Sequence, residues 1–296
     1  MKKIALIDVG GTSIKFGTWD GTNLKKYNSE ATPDNLEDFY KVLKIHVASL
    51  RDQAQIVGVG ISIPGAVNKQ TGQIEGTSAL NYIHYFNIKA ELERQLGLSV
   101  TIENDANCAA LAEVTDGAGK DVNNLLFIVL GTGVGGAVIF DNHIWHGKHL
   151  LGGEFGYMLV DNSHILSDVG SPVKVGQKFT KEKNNGQVYE GKEVFDLAEQ
   201  GDLLAKKEVD YFYRTLARVI FNLQYSFDPE KIIIGGGISN NDHLISNLNR
   251  EIELCQQQSK IGVITPNLVV CKYTDAANLR GAAVDFITTY PDAIKE

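Results

Sequence analysis

"KKIALIDVGGTSIKFGTWDG", residues 2–21, decides how the chain is built. An apolar, β-rich run ends in Asp8-Val9-Gly10-Gly11, and "SIKFGTWDG" then nearly alternates apolar residues up to a turn at Asp20-Gly21. That reads as a strand, a glycine turn and a returning strand. The same phrase, an apolar run closed by glycines, echoes weakly at 126–136 and 232–237. Between the echoes lie helical patterns. Residues 34–52 place Leu36, Phe39, Tyr40, Leu43 and Val47 at helical spacing behind a cap expected at Asp34. "IKAELERQLG" (88–97) reads as a helix stopped by Gly97, "IVGVGISIPGAV" (56–67) as a buried strand broken by Pro64-Gly65, and "LSVTIEN" (98–104) as another strand. "ANCAALAEVTDG" (106–117) reads as a small-residue helix, and "DAANLRGAAVDFITTYPD" (275–292) as a helix whose Gly281 permits close packing. Strands with interspersed helices define an α/β fold.

At 296 residues the chain exceeds what one hydrophobic core usually serves, so two domains are expected. No apolar run approaches the roughly 20 residues that span a bilayer, and the reading is a soluble chain without a membrane partner. Asp8 interrupts the first apolar run too early for a signal peptide, which points to the cytoplasm. A net charge of -8 argues against nucleic acid as partner. Cys108, Cys255 and Cys271 are far apart and read as reduced thiols.

Glycines at strand ends let backbone N–H groups approach a phosphate with no Cβ in the way. "GTGVGG" (131–136) is followed by the strand "AVIF" and not by a helix, which disfavours a dinucleotide fingerprint, and no GxxxxGK[ST] occurs. Tight hairpin turns would explain any single cluster; three clusters on three strands favour phosphate handling. Asp8 can hold water on Mg²⁺ and Thr12 can donate to a phosphate oxygen.

"IDVGGTSIK", "SIPGAV", "ENDANCAALAE", "LGTGVGGA", "GGEFGYM" and "IIIGGGIS" together cover nearly the whole chain in the order of the ROK-family sugar kinases, which it resembles. The resemblance implies an actin-like, hexokinase-like (ribonuclease H-like) α/β fold of two domains, 1–117 plus 282–296 and 118–281. It implies ATP and Mg²⁺ as cofactors, a small sugar as substrate, and a homodimer. Asp105 matches the family's general base, which orients the accepting hydroxyl and takes its proton. Capping the following helix is the plainer use for Asp105. Asn104 and Glu154 match sugar contacts, with Gly65, Ser78, Tyr157 and, more weakly, Asn81 as neighbours. Gly10, Gly11, Thr12, Lys15, Gly131, Thr132 and Gly133 are expected around the phosphates, and Gly235, Gly236 and Gly237 nearer the adenosine. Alternation along "VTIEN" turns Glu103 away from the face of Asn104 and leaves it outside the site.

The chain departs from many members of that family by carrying Tyr157 where they have a histidine, and by lacking their CxCGxxGC zinc motif. No zinc is therefore expected, His164 alone being too few ligands. "GEFGYM" with "ENDANC" looks most like the β-glucoside kinase branch, which phosphorylates the 6-hydroxyl of disaccharides such as cellobiose or gentiobiose. A flat tyrosine ring suits a bulky anomeric group. N-acetylmannosamine kinase and glucokinase are the alternatives within the family. A non-catalytic sugar sensor is the alternative from another class, and its repressor form needs a helix-turn-helix for which a first strand beginning at Ile4 leaves no room.

Overall fold

The computed structural model describes residues 2–262 and 264–295. The chain forms two compact units: Met1–Thr115 with His146–Leu151 and Asp275–Glu296, and Asp116–Trp145 with Gly152–Thr274. Of the expected boundaries, 117/118 lies close to the break after Thr115, whereas 281/282 falls inside the C-terminal helix. That helix, Ala277–Thr289, is continuous, and its Asn278 already binds Asp8, so the first unit takes it whole.

In the first unit β1 (Lys2–Val9) and β2 (Ser13–Trp19) form the antiparallel hairpin read from the sequence, Ile4 opposite Trp19 and Val9 opposite Ile14. The edge is finished by β3 (Leu24–Lys26) and β4 (Glu30–Ala31), both paired to β2. Helix α1 (Leu36–Gln53) buries Phe39, Tyr40, Leu43, Val47 and Leu50, each fully buried aliphatic side chain being worth about 2 kcal/mol. Its cap is Asn35 and not Asp34, because Asn35 has the extended backbone from which a side chain can accept the Asp38 N–H. Strand β5 (Gln55–Ile63) runs parallel to β1, and the β6 (Ala66–Asn68) and β7 (Gln73–Glu75) ribbon follows. Then come α2 (Ile88–Leu96), ended by Gly97 at φ 63°, strand β8 (Val100–Asn104) parallel to β5, and α3 (Asp105–Asp116). The sheet order is β3-β2-β1-β5-β8.

The second unit repeats that plan. Strands β9 (Leu125–Leu130) and β10 (Val134–Phe140) form an antiparallel hairpin with β11 (His143–Ile144) at the edge, and β12 (Lys231–Gly235) and β13 (Leu268–Val270) continue in parallel. The order is β11-β10-β9-β12-β13. Helices α4 (Leu166–Val169), α5 (Pro172–Lys183), α6 (Gly191–Glu199), α7 (Leu203–Phe227) and α8 (Leu244–Ser259) supply much of its core, with Phe179, Phe212, Leu216, Ile220 and Leu248 fully buried. The C-terminal helix α9 (Ala277–Thr289) lies on β1, β5 and β8 of the first unit. A Cβ on Gly281 would stand 1.7 Å from the Cys108 carbonyl oxygen, so α9 and α3 meet backbone to backbone there.

Candidate functional site

Parallel strands bring their C-terminal ends to one edge, where ligands of α/β sheets bind. In the first unit the register sets Asp8 beside Ser62 and Ser62 beside Glu103. Asp8 is buried. Its Oδ1 accepts from Ser62 Oγ at 3.0 Å and from Asn278 Nδ2 at 2.9 Å, while its Oδ2 has Lys15 Nζ at 3.4 Å. Lys15 owes that place to the hairpin, which pairs it with Asp8. Thr32 fixes the turn after β1: its N–H donates to the Thr12 carbonyl and its hydroxyl to that of Gly10. The Thr12 side chain remains exposed. A Cβ on Gly11 would lie 2.9 Å from that of Ala79, so this turn abuts the loop carrying Ser78.

The start of α3 separates the two roles open to Asp105. The Asn107 N–H donates to Asn104 Oδ1 at 3.1 Å, which makes Asn104 the cap. Asp105 is the first helical residue, and its Oδ1 accepts the Ala106 N–H at 2.8 Å. Burial pushes its carboxyl above the usual aspartate range, and the charge of Asp8 adds to the rise. The other end of the Asn104 amide donates to the Gly65 carbonyl at 3.1 Å. Gly65 adopts φ 107°, and a Cβ there would meet Ile74, His84 and Ser78. Ser78 Oγ and His84 Nε2 lie 2.7 Å apart. Gly65, Ser78, Asn104 and the buried His84 are thus one patch. Asn81 opens the short turn that ends at His84.

The second unit holds a cavity of about 930 Å³, within the range of small-molecule sites. Gly131 and Gly237 line it, with Pro172, Tyr189, Lys192 and Asn240 among their neighbours. A Cβ at Gly131 or Gly237 would meet no protein atom, whereas one at Gly133 would sit 3.3 Å from Ser167 Oγ. The buried Ser171 donates to the carbonyls of Gly131 and Thr132 and holds their turn. Gly235 and Gly236 differ in kind: a Cβ would strike the Phe127 ring at 2.6 Å in one and the Leu130 carbonyl at 2.1 Å in the other, the latter at φ 94°. At both positions the protein itself leaves no room for a side chain. Glu154, half-buried, precedes a 3₁₀ turn, Phe155–Tyr157, whose Phe155 is buried against Phe227 while Tyr157 is 62% exposed. Met158 packs against the same core.

Ser62, His84, Ser171 and Asn278 escaped the sequence reading. A serine, a histidine or an asparagine carries no spacing signal, and Asn278 reaches Asp8 across 270 residues. Among the described residues no group of three His, Cys, Asp or Glu stands where a metal ion could be held directly. His164 is engaged by Asp161 at 2.9 Å and His146 by Glu103 at 3.0 Å.

Sheets of this topology, with glycine turns and acids at their strand ends, define an actin-like, hexokinase-like phosphotransferase fold. The profile of the ROK family matches residues 4–288, and the chain belongs to that family. It is 30% identical over 297 residues to a β-glucoside kinase of Listeria monocytogenes, covering 96% of this chain and 97% of the relative. A ROK family protein of Streptococcus pneumoniae in complex with sucrose has a TM-score of 0.88 at 34% identity, covering 98% of this chain and 99% of the other. A ROK family glucokinase of Streptomyces griseus in complex with glucose and AMPPNP gives 0.78 at 26% identity, over 95% and 98% of the two chains. By this kinship the chain is a carbohydrate kinase.

Proposed function

We propose that this kinase transfers the γ-phosphoryl group of ATP to the 6-hydroxyl of a β-glucoside, with Asp105 as general base, working as a cytoplasmic homodimer. The observation that carries the role of Asp105 is the occupied cap. With Asn104 closing α3, the Asp105 carboxylate is left available to orient a hydroxyl and take its proton. Its raised pKa makes the ionised carboxylate a better proton acceptor. Asn104, Gly65 and Ser78 are the sugar neighbours on the first unit, and Glu154 with the exposed ring of Tyr157 is offered by the second.

ATP fits the second unit's cavity by size, with the open backbone at Gly131 and the adjoining turn of Thr132 and Gly133 for phosphates and the open backbone at Gly237 for the nucleoside. The AMPPNP complex of the Streptomyces griseus relative supports that nucleotide. On the first unit, Gly10, Gly11, Thr12 and Lys15 are the groups for the terminal phosphates. Asp8 would hold Mg²⁺ through water: donors fix its Oδ1, while its Oδ2 has one long contact that a hydrated cation can replace. Bound there, the ion would neutralise charge on the transferring phosphoryl group.

The kinship with the Listeria β-glucoside kinase favours a β-linked disaccharide over a free hexose. ATP-coupled assays over cellobiose, gentiobiose, glucose and N-acetylmannosamine test this. The β-disaccharides should give the largest kcat/KM. A preference for glucose or N-acetylmannosamine would move the chain to another branch, and no turnover with any sugar would sink the reading.

A further inference from the structure

Glu103 lies outside the proposed sugar patch, yet its carboxylate is held by four partners. Its Oε1 accepts the Asn104 N–H at 2.8 Å and Asn107 Nδ2 at 3.0 Å, one on each side of the Asp105 position. Its Oε2 takes His146 Nε2 at 3.0 Å and Lys69 Nζ at 3.2 Å, and Lys69 continues to Asp285 Oδ1 at 2.5 Å. The Glu103 side chain is 2% exposed. A carboxylate accepts and cannot donate, so the His146 Nε2 must carry a proton in this bond. Lys69 follows β6, Asp285 sits on α9, and His146 begins the segment His146–Leu151, which belongs to the first unit although Trp145 and Gly152 on either side belong to the second.

Apolar side chains of similar volume would hold three such elements together as well or better, because burying ions carries a desolvation cost that their attraction often fails to exceed. What an apolar cluster could not do is grip two hydrogen-bond donors of the turn that carries Asp105. The same chain stretch also runs from His146 to Glu154 in eight residues, so the excursion leads directly into the second proposed sugar contact.

We infer that Glu103, braced by His146 and Lys69, is a positioning residue that holds Asn104 and Asp105 in reacting geometry, and that His146 is its part-exposed partner. Glu103 touches neither sugar nor phosphate in this scheme; it acts through the turn. The inference rests on the proposed role of Asp105. Misplacing a catalytic group by about 1 Å can cost on the order of a hundredfold in rate, and loss of the brace should show as turnover with little change in nucleotide binding.

His146 is part-exposed, which lets it be changed with little risk to folding. In His146→Ala, kcat should fall at least tenfold with KM for ATP within twofold of wild type. His146→Gln retains an N–H donor for Glu103 and should recover most of the loss. Amide exchange of Asn104, whose N–H Glu103 holds, should speed up in the alanine variant and not in the glutamine one. A kcat for His146→Ala within threefold of wild type, or a glutamine variant no better than alanine, overturns the inference. If His146→Ala fails to fold, Lys69→Gln carries the same test, and an unchanged kcat there overturns it equally. Asp105→Asn, run alongside, separates the two claims. Should it retain more than a tenth of wild-type kcat, the general-base reading fails; should it be inactive while His146→Ala is fully active, only the positioning role fails.

Discussion

Replacing Glu103 with glutamine removes one buried charge and leaves the shape nearly unchanged. Burial alone would raise this carboxyl, but the hydrogen bond from His146 and the charge of Lys69 outweigh it and hold it at about 2 against an ordinary 4.5. At about 1.4 kcal/mol per tenfold change, that difference makes ionised Glu103 worth about 3 kcal/mol of folding stability at neutral pH. The sign follows from the depressed value. Stability is present in full above the unfolded value of 4.5, erodes below it, and is lost as pH falls through about 2. By pH 3 about 2 kcal/mol of it should be gone. Asp105 and Asp285 run the other way, since burial raises both, and each contributes most below its unfolded value and loses that contribution as pH rises. They remain in Glu103→Gln, so the difference between the two proteins largely removes them. Urea unfolding, chosen because guanidinium salt would screen the charges, should show wild type ahead of the variant by about 3 kcal/mol at pH 7 and about 1 kcal/mol at pH 3. A gap that stays constant across that range would refute the claim that Glu103 is held ionised by His146 and Lys69.

Asp105→Asn should lower kcat by about 10²–10⁴-fold while sugar affinity stays within tenfold, as measured by steady-state kinetics and calorimetry. Because the Asp105 carboxyl is raised and must be ionised to act, the acid limb of kcat/KM should lie above the aspartate value of 3.8, and a limb at or below it would contradict the assignment. An added Cβ at Gly131 meets no protein atom, so Gly131→Val should fold as wild type yet lose ATP in calorimetry, and Gly133→Val should do the same with crowding at Ser167. Gly236→Ala, at φ 94° and 2.1 Å from the Leu130 carbonyl, should instead lose stability by several kcal/mol, which thermal unfolding would register. A zinc chelator should leave activity unchanged with Mg²⁺ saturating, and elemental analysis should find far less than one zinc per chain; stoichiometric zinc would send the search to His143, His146, His149 and His164.

Strand pairing was legible where periodicity and turn chemistry agreed, as in the β1–β2 hairpin from Lys2 to Trp19 and the helix stop at Gly97. It was less so where two adjacent residues could play one part. Asp34 and Asn35 can both cap α1, as Asn104 and Asp105 can both cap α3, and the extended backbone of Asn35 and the Asn107 N–H bond to Asn104 settle choices that composition leaves open. Glycine is ambiguous for another reason. Gly131, Gly235 and Gly236 look alike in sequence, but the first faces open space, the second a phenyl ring and the third a carbonyl oxygen. The charged network was hidden by distance along the chain, since Lys69 and Asp285 are separated by 216 positions and neither sits in a recognisable pattern.

The echo heard in the glycine clusters turns out to be a repeated topology, and the two copies diverge at their strand ends. Each sheet runs edge strand, hairpin, then two parallel strands, with a glycine turn closing the hairpin. At those ends the first sheet carries acids, Asp8 on β1 and Asp105 just beyond β8. The second carries bare backbone, Gly131 after β9 and Gly237 after β12, beside a cavity. Carboxylates suit proton transfer and a hydrated cation, and uncovered N–H groups suit a polyanion. On the proposed function the two copies of one architecture would divide the work, carboxylates at the first set of strand ends serving the acceptor and uncovered N–H groups at the second serving the nucleotide. An acid placed at Gly131 should accordingly harm ATP binding more than a valine of similar bulk: if Gly131→Asp and Gly131→Val weakened ATP equally in calorimetry at low salt, bulk alone would explain the glycine and the electrostatic division would fall.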